Sequence, residues 1–230
     1  MLASAAERLG RLLFGGSCFL CRGRAQGILC AQCDADLPRL GGGLCPRCAL
    51  ASPAGELCGR CLARPPQYDA TRAALDYRFP ADVLIQALKF RSELALAPFL
   101  GGLFSECLPR ENVDCIVPVP LSSRRLAERG FNQALEIARH VARASGARLA
   151  PELCERTRDT PAQLGLPSPE RMRNVKGAFH CPRLLEGLRI AVLDDVMTTG
   201  ATLEAVAAEL KRAGAARVVN WVVARTPPPD

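Results

Sequence analysis

No stretch of the chain approaches the roughly 20 consecutive apolar residues of a membrane-spanning helix, so the sequence offers no transmembrane segment. It also contains no Walker A pattern and no GxGxxG, which leaves nucleoside triphosphate and dinucleotide sites of those types without support. Histidine is nearly absent: His140 sits on a helical pattern and His180 near a strand, and neither has a sequence partner that suggests a metal site or a catalytic triad. The first residues, MLASAAERLGRLLFGG, place Leu2, Leu9, Leu12 and Leu13 at helical spacing, but Glu7, Arg8 and Arg11 interrupt any signal-peptide core. A short amphipathic helix packed on a neighbouring domain is expected there. Without a secretory signal, and with cysteine usage that suits reduced thiols, a cytoplasmic location is expected.

What is present is a globular composition. Of 230 residues, 49% are hydrophobic and 23% charged, enough for one ordinary domain and a small one. A formal charge of +7, spread over both halves, permits contact with nucleic acid without arguing strongly for it.

Eight of the twelve cysteines fall before residue 62, in four CxxC pairs: Cys18 and Cys21, Cys30 and Cys33, Cys45 and Cys48, Cys58 and Cys61. Each pair can fold as a tight knuckle that offers two thiolates to one metal, and two knuckles complete a tetrahedral site. The inner spacers are eight residues in the first half and nine in the second, which reads as a duplicated unit. Sequential pairing is therefore expected, with one zinc on Cys18, Cys21, Cys30 and Cys33 and another on Cys45, Cys48, Cys58 and Cys61; an interleaved arrangement is also compatible with the spacing. Iron–sulfur or redox use, and a disulfide framework, are the alternatives, and ligand softness and CxxC spacing favour zinc over both. A closed four-thiolate site has no open position for chemistry, so the module is expected to act as a folding staple or a binding surface. Cys107, Cys115, Cys154 and Cys181 stand singly and receive no role.

The stretch that carries chemistry is Leu188 to Leu203, LRIAVLDDVMTTGATL. Ile190 to Leu193 form an apolar run without alternation, the mark of a strand buried on both faces of a parallel sheet. Asp194 and Asp195 are expected to end it, followed by the turn TTGAT and a helix from Leu203 to Arg212. A helix start presents unpartnered backbone N–H groups and the positive end of the macrodipole, which suit a phosphate. Gly200 lets the backbone come close to an oxyanion, Thr198, Thr199 and Thr202 add hydroxyls, and carboxylates at a strand's carboxyl end can accept hydrogen bonds from a diol. Together these features describe a ribose 5-phosphate site.

Elsewhere, Pro65 and Pro66 mark a boundary between modules. Strands are expected over Thr71–Arg78, Asp114–Pro120 and Arg217–Arg225, and helices from Pro80 to Phe90, from Glu93 to Leu108 and from near Phe131. Trp221, in the last strand, is expected as core or interface packing, with nucleobase stacking as the alternative. Lys89 closes a helix whose negative dipole end suits a cation, and it is also a candidate active-site contact. Arg124, Arg125 and Arg129 are expected in a loop at the sheet edge that carries Asp194, where guanidinium forks can hold a pyrophosphate. The polar, proline-broken segment from Cys154 to Phe179 is expected to be a mobile lid over an anionic substrate.

Taken together, the CxxC-rich start, VPVPLSSRRLAERGFNQA, RTRDTPAQLGLPSPERMRNVKGAF and VLDDVMTTGAT resemble the ComF family, the competence protein F and GntX-like proteins with a phosphoribosyltransferase domain behind a double zinc ribbon. The resemblance covers nearly the whole chain, and RGFNQ and LDDVMTTGAT are its specific parts. It implies an α/β, type I phosphoribosyltransferase fold, a mainly parallel sheet flanked by helices. Residues 1–66 would form the N-terminal helix and zinc-ribbon module and 67–230 the transferase domain, with a hood at 67–107. It further implies binding of 5-phosphoribosyl 1-pyrophosphate (PRPP) with Mg²⁺, Asp194 and Asp195 holding the ribose hydroxyls and Thr198, Thr199, Gly200, Ala201 and Thr202 the 5-phosphate. Pro118, Val119, Pro120, Arg124 and Arg125 would form the pyrophosphate loop, and Arg156, Gln163, Arg171, Asn174 and Lys176 would belong to the flexible loop. Asp194, Asp195, Arg124 and Lys89 are the candidate catalytic residues. The acceptor nucleophile is open, since no nucleobase-recognition motif is evident. A non-catalytic protein that senses PRPP or binds single-stranded DNA, linked to DNA uptake, is the other reading.

Overall fold

The alternation of apolar runs with amphipathic segments becomes, in the computed structural model, a parallel sheet covered by helices on both faces. Residues 16–108, 112–159, 175 and 177–227 are described. The expected N-terminal helix, and Gln163, Arg171, Asn174 and Lys176, lie outside the described residues.

The chain opens with two small ribbons. In the first, β1 (Gly16–Ser17) pairs antiparallel with β2 (Arg24–Ala25), and α1 (Ala31–Ala35) follows. The second ends in α2 (Gly59–Ala63). Next come β3 (Ala70–Asp76), α3 (Ala81–Arg91), α4 (Leu96–Glu106), β4 (Cys115–Pro118), α5 (Ser123–Arg129), α6 (Gln133–Ser145) and β5 (Arg148–Leu149). A two-stranded antiparallel pair, β6 (Glu155–Arg156) with β7 (Phe179–His180), precedes β8 (Arg189–Met197), α7 (Ala201–Arg212) and β9 (Arg217–Arg225). The main sheet has the order β3-β9-β8-β4-β5, with every pairing parallel.

Because side chains alternate along a strand, the sheet divides the core in two. Ala191, Leu193, Val219 and Trp221 face Leu84 and Leu88 of α3, Phe104 of α4 and Ile137 of α6, and this cluster extends to Cys18, Leu29 and Leu37 of the first ribbon. Ile190, Val192, Val218 and Val222 face Val206 and Leu210 of α7, in a cluster that includes Cys45, Cys48 and Cys61 of the second ribbon. The two ribbons thus cover opposite faces of one sheet. The chain passes from one to the other around the β3 edge, where Leu40 N donates to Ala74 O at 2.8 Å and Asp76 N to Pro38 O at 2.8 Å. His140 packs where α4 and α6 approach closely; a Cβ on Gly101 would lie 2.8 Å from its Cβ.

Two local expectations are corrected. The Asp pair does not end its strand: β8 continues to Met197, held by β9 as far as Arg225. Ladder pairing on that side outweighs the low strand preference of Asp. Arg124, Arg125 and Arg129 lie on a helix and not in a loop. Ser122 caps α5 by accepting from Arg125 N, and Gly130, at φ +79°, closes it in the left-handed conformation.

Candidate active site and the four-cysteine centres

The site forms at the carboxyl end of β8, where open parallel sheets place their ligands. Since the strand runs through both acids, Asp194 and Asp195 point to opposite sides of it. Asp194, half-buried, lines a small cavity with Thr198, Gly200, Ala201 and Thr202 at the start of α7. Asp195, buried, meets Lys89 of α3, whose Nζ lies 2.5 Å from Oδ2.

The surroundings split the two carboxyls electrostatically. Burial, reinforced by the Asp195 charge, pushes Asp194 well above the usual carboxylate range. Burial acts on Asp195 in the same sense, but the Lys89 ammonium outweighs it and holds Asp195 below its ordinary value. Lys89 in turn is disfavoured by burial and raised by the two carboxylates.

The turn after β8 demands glycine. Gly200 has φ +86°, and a Cβ there would come within 2.8 Å of Met197 Cε and 3.4 Å of the Tyr68 hydroxyl. Gly200 O accepts from Glu204 N at 2.8 Å, and Thr199 Oγ1 accepts from Ala201 N at 3.3 Å, which orients the first turn of α7. Twelve residues long, α7 directs its macrodipole and first N–H groups at the cavity beside Asp194.

The loop after β4 is fixed by residues within RGFNQ. Val119 N donates to Leu193 O at 2.8 Å, and Val119 O accepts from Asn132 Nδ2 at 3.0 Å. Asn132 also caps α6, its Oδ1 accepting from Ala134 N at 3.0 Å. Arg129 stacks over Phe90 at 5.6 Å and donates to Gln133 Oε1. Burial draws the Arg129 and Arg156 guanidinium groups below their usual value; Arg125 repels both, and Asp194 acts on both in the opposite sense. Arg156, on β6, stacks over Phe179 at 5.4 Å. Lys89 thus pairs with Asp195, Arg129 and Arg156 feel the Asp194 charge, and Arg125 acts on those two arginines. Arg124 is exposed on α5 with Glu128 at 3.9 Å. Pro118 is the last residue of β4, and Pro120 follows the pinned Val119.

Cys18, Cys21, Cys30 and Cys33 converge, as do Cys45, Cys48, Cys58 and Cys61; within each group the sulfurs all lie within 4.8 Å of one another. The pairing is sequential. Zinc with bonds of about 2.3 Å to four thiolates sets sulfur–sulfur edges of about 3.8 Å. Cys21 and Cys30 stand 3.7 Å apart and Cys48 and Cys58 3.6 Å apart, so both centres have the size for it. Burial opposes ionisation of Cys18 and Cys45, yet backbone N–H groups of their knuckles hold both thiols down at about 6. Two four-cysteine sites consistent with two structural zinc ions result.

Three residues of the site framework carry no clear signal in the sequence. Arg225 is buried at the end of β9 with its guanidinium on the Met197 and Thr198 carbonyls. Tyr68 lies between the second centre and Gly200. Asn132 pins the β4 loop, and an Asn directly before a helical run is the one cue that points to it. Cys154 and Cys181, single in sequence, are brought side by side by the β6–β7 register.

Residues 9–62 match the double zinc ribbon domain. DNA utilization protein YhgH of Salmonella typhi is 38% identical over 224 residues, covering 92% of this chain and 97% of that protein. Competence protein F of Haemophilus influenzae is 28% identical over 226 residues, covering 92% and 98%. A purine phosphoribosyltransferase from Pyrococcus horikoshii aligns over 68% of this chain and 87% of its own, at 19% identity and a TM-score of 0.31, a likeness too weak to carry an argument. The near full-length relationship at 38% identity, with two converged four-cysteine groups ahead of a parallel sheet, places the chain in the ComF family, among the relatives of competence protein F and DNA utilization protein YhgH.

Proposed function

We propose that the cleft at the end of β8 binds PRPP with Mg²⁺ and that the protein transfers the 5-phosphoribosyl group to a nucleophilic acceptor, in a role linked to DNA uptake or use. The observation that carries this reading is one strand that brings Asp194 to the cavity lined by a glycine turn and a helix N-terminus, with Lys89 on the neighbouring acid. The turn from Thr198 to Thr202 takes the 5-phosphate, and the Asp194 carboxylate, which lines the same cavity, accepts from the ribose hydroxyls, while Asp195, paired with Lys89 on the other side of the strand, supports it from behind. Arg125, Arg129 and Arg156 lie where they can face the pyrophosphate.

In the transfer, the bond between the anomeric carbon and the pyrophosphate oxygen breaks, a bond from that carbon to the acceptor forms, and pyrophosphate leaves with the bonding pair. No protein nucleophile is required; the chain's residues position the sugar and offset charge. Asp194 lines the cavity and its ionisation is disfavoured by burial beside a second acid, so a nearby cation would favour its charged form, which fits a magnesium-bearing ligand. Magnesium bound together with the ligand would supply charge neutralisation on the leaving group.

Calorimetry of Mg–PRPP binding tests the proposal. Asp194→Ala combined with Asp195→Ala should weaken binding by about 100-fold or more, because a charge-assisted contact to the sugar and the buried ion pair behind it are both lost. Absence of binding by folded, zinc-loaded parent protein overturns the enzyme reading. The names of the relatives, together with exposed Arg124 and its neighbours on α5, favour a second reading in that event, a single-stranded DNA-binding protein without turnover, whose affinity would fall steeply with salt.

A further inference from the structure

Arg225 poses an electrostatic problem that its immediate partners do not solve. The residue is 2% exposed. Its Nε donates to the Cys48 carbonyl at 2.9 Å, and one terminal nitrogen donates to the carbonyls of Met197 at 2.8 Å, Thr226 at 2.9 Å and Thr198. All four acceptors are neutral. Among the described residues no carboxylate lies within ion-pair distance of it, and burying a guanidinium without a counter-charge is strongly unfavourable. Its acidic neighbours are Cys48, Tyr68 and Cys61. Two of these belong to the second four-cysteine group, which with zinc and four thiolates carries a formal charge of about two negative units.

The position of Arg225 gives that charge somewhere to act. In the β8–β9 register Arg225 is the partner of Met197, the last residue of β8, and Thr226 N donates to Met197 O at 3.0 Å. The guanidinium therefore spans from the backbone of a zinc knuckle to the two carbonyls from which the glycine turn departs. Tyr68, in the same cluster, closes the gap on the other side, its hydroxyl facing Gly200.

We propose that Arg225 is the positioning residue that couples the second four-cysteine centre to the turn from Thr198 to Gly200, acting as counter-charge to the metallated thiolates and as the clamp on the turn's carbonyls. The coupling is independent of which phosphate ester the turn takes. It also gives the two ribbons different roles, the first a staple on the far face of the sheet and the second a part of the framework of the site.

The test uses the full-length protein and reads both ends. Arg225→Met should release one of two zinc ions to a chelator about 10-fold faster than the parent, the other unchanged, and speed amide exchange at residues 198–201 by about 10-fold. Arg225→Lys keeps the charge but loses the fork, so it should restore zinc retention while exchange at the turn stays fast. From the other end, Cys58→Ser should speed exchange at the turn and Cys30→Ser should not. This second arm decides the matter where Arg225→Met fails to fold. Equal exchange at the turn in Cys58→Ser and the parent, or equal acceleration by Cys58→Ser and Cys30→Ser, overturns the coupling, as does unchanged zinc release in folded Arg225→Met.

Discussion

The first ribbon lies against the sheet face that carries α3, α4 and α6, and the second against the face that carries α7 and the turn after β8. Their cysteine spacings are nearly the same, yet in the first only Cys18 is buried, while in the second Cys45, Cys48 and Cys61 are. A duplicated metal-binding unit has therefore been placed in two settings, one mostly facing solvent and one sunk into the core beside the candidate site. What differs is not the ligand set but what the ligands' neighbours touch. Arg47 of the second ribbon donates to the carbonyls of Pro66 at 3.3 Å and Tyr68 at 2.9 Å, and Thr71 Oγ1 donates to Arg47 O at 2.7 Å. The first ribbon is tied to the sheet mainly by apolar packing and the β3 edge contacts.

The largest effect that would break this comparison is loss of one metal centre at a time. Cys45→Ser with Cys48→Ser removes a buried knuckle, and the cost should be several kcal/mol, since metal binding free energy enters folding directly. At roughly 2–4 °C per kcal/mol for a chain of this size, the melting temperature should fall by about 10 °C or more. Cys30→Ser with Cys33→Ser should lower it by about half as much, with one zinc retained in each case. Thermal unfolding with zinc stoichiometry measures this, and equal losses from the two variants would remove the distinction between the ribbons.

Lys89 sharpens the same contrast from the first face. It reaches across to Asp195, whose side chain is 3% exposed, so Lys89→Met leaves a buried carboxylate unpaired at a cost of about 3 kcal/mol near pH 8. The sign follows from the shift: Asp195 is held below its ordinary value when folded, so its contribution is present above about pH 4 and is lost as pH falls through the folded value. Without Lys89, burial raises Asp195 instead, and it takes a proton in mild acid. The gap between parent and variant in urea unfolding should therefore widen from pH 5 to pH 8, and a gap independent of pH would mean that Lys89 acts through packing alone.

Much of this is legible in the sequence because its cause is local. Four CxxC pairs with short spacers announce two centres, and the apolar run from Ile190 to Leu193 announces a central strand, since both depend on neighbours in the chain. The end of that strand is not legible, because what sustains it is not local. Val196 and Met197 stay in the ladder through β9, whose residues lie far along the sequence, and so the two acids fall on opposite sides and not together at a turn. The helix holding Arg124 and Arg125 is concealed by the prolines at 118 and 120, although Ser122 and Gly130 bracket it. Arg225 gives no sign at all: its bond to the Cys48 carbonyl joins residues 177 positions apart, and a cation closing an apolar strand looks like an ordinary exposed terminus.

Asp194 supplies the smallest and most specific contrast, because it neighbours Asp195 in sequence and differs from it in sign. Burial and the adjacent acid raise its folded-state pKa above the ordinary value near 4, so ionising it costs folding stability as pH climbs through that window. Asp194→Asn removes that cost. The variant should match the parent near pH 4 and gain stability over it as pH rises toward 8, the direction that a raised folded-state value sets. Lys89→Met should show the opposite trend over the same range. On the proposed function, the gain in Asp194→Asn should come with weaker Mg–PRPP binding, since an acid kept at a cost to stability beside a cavity is one whose charge a ligand can use. Urea unfolding from pH 4 to pH 8 on both variants decides this: parallel slopes would mean that the two carboxyls share one environment, and that the strand does not divide them between the faces of the sheet.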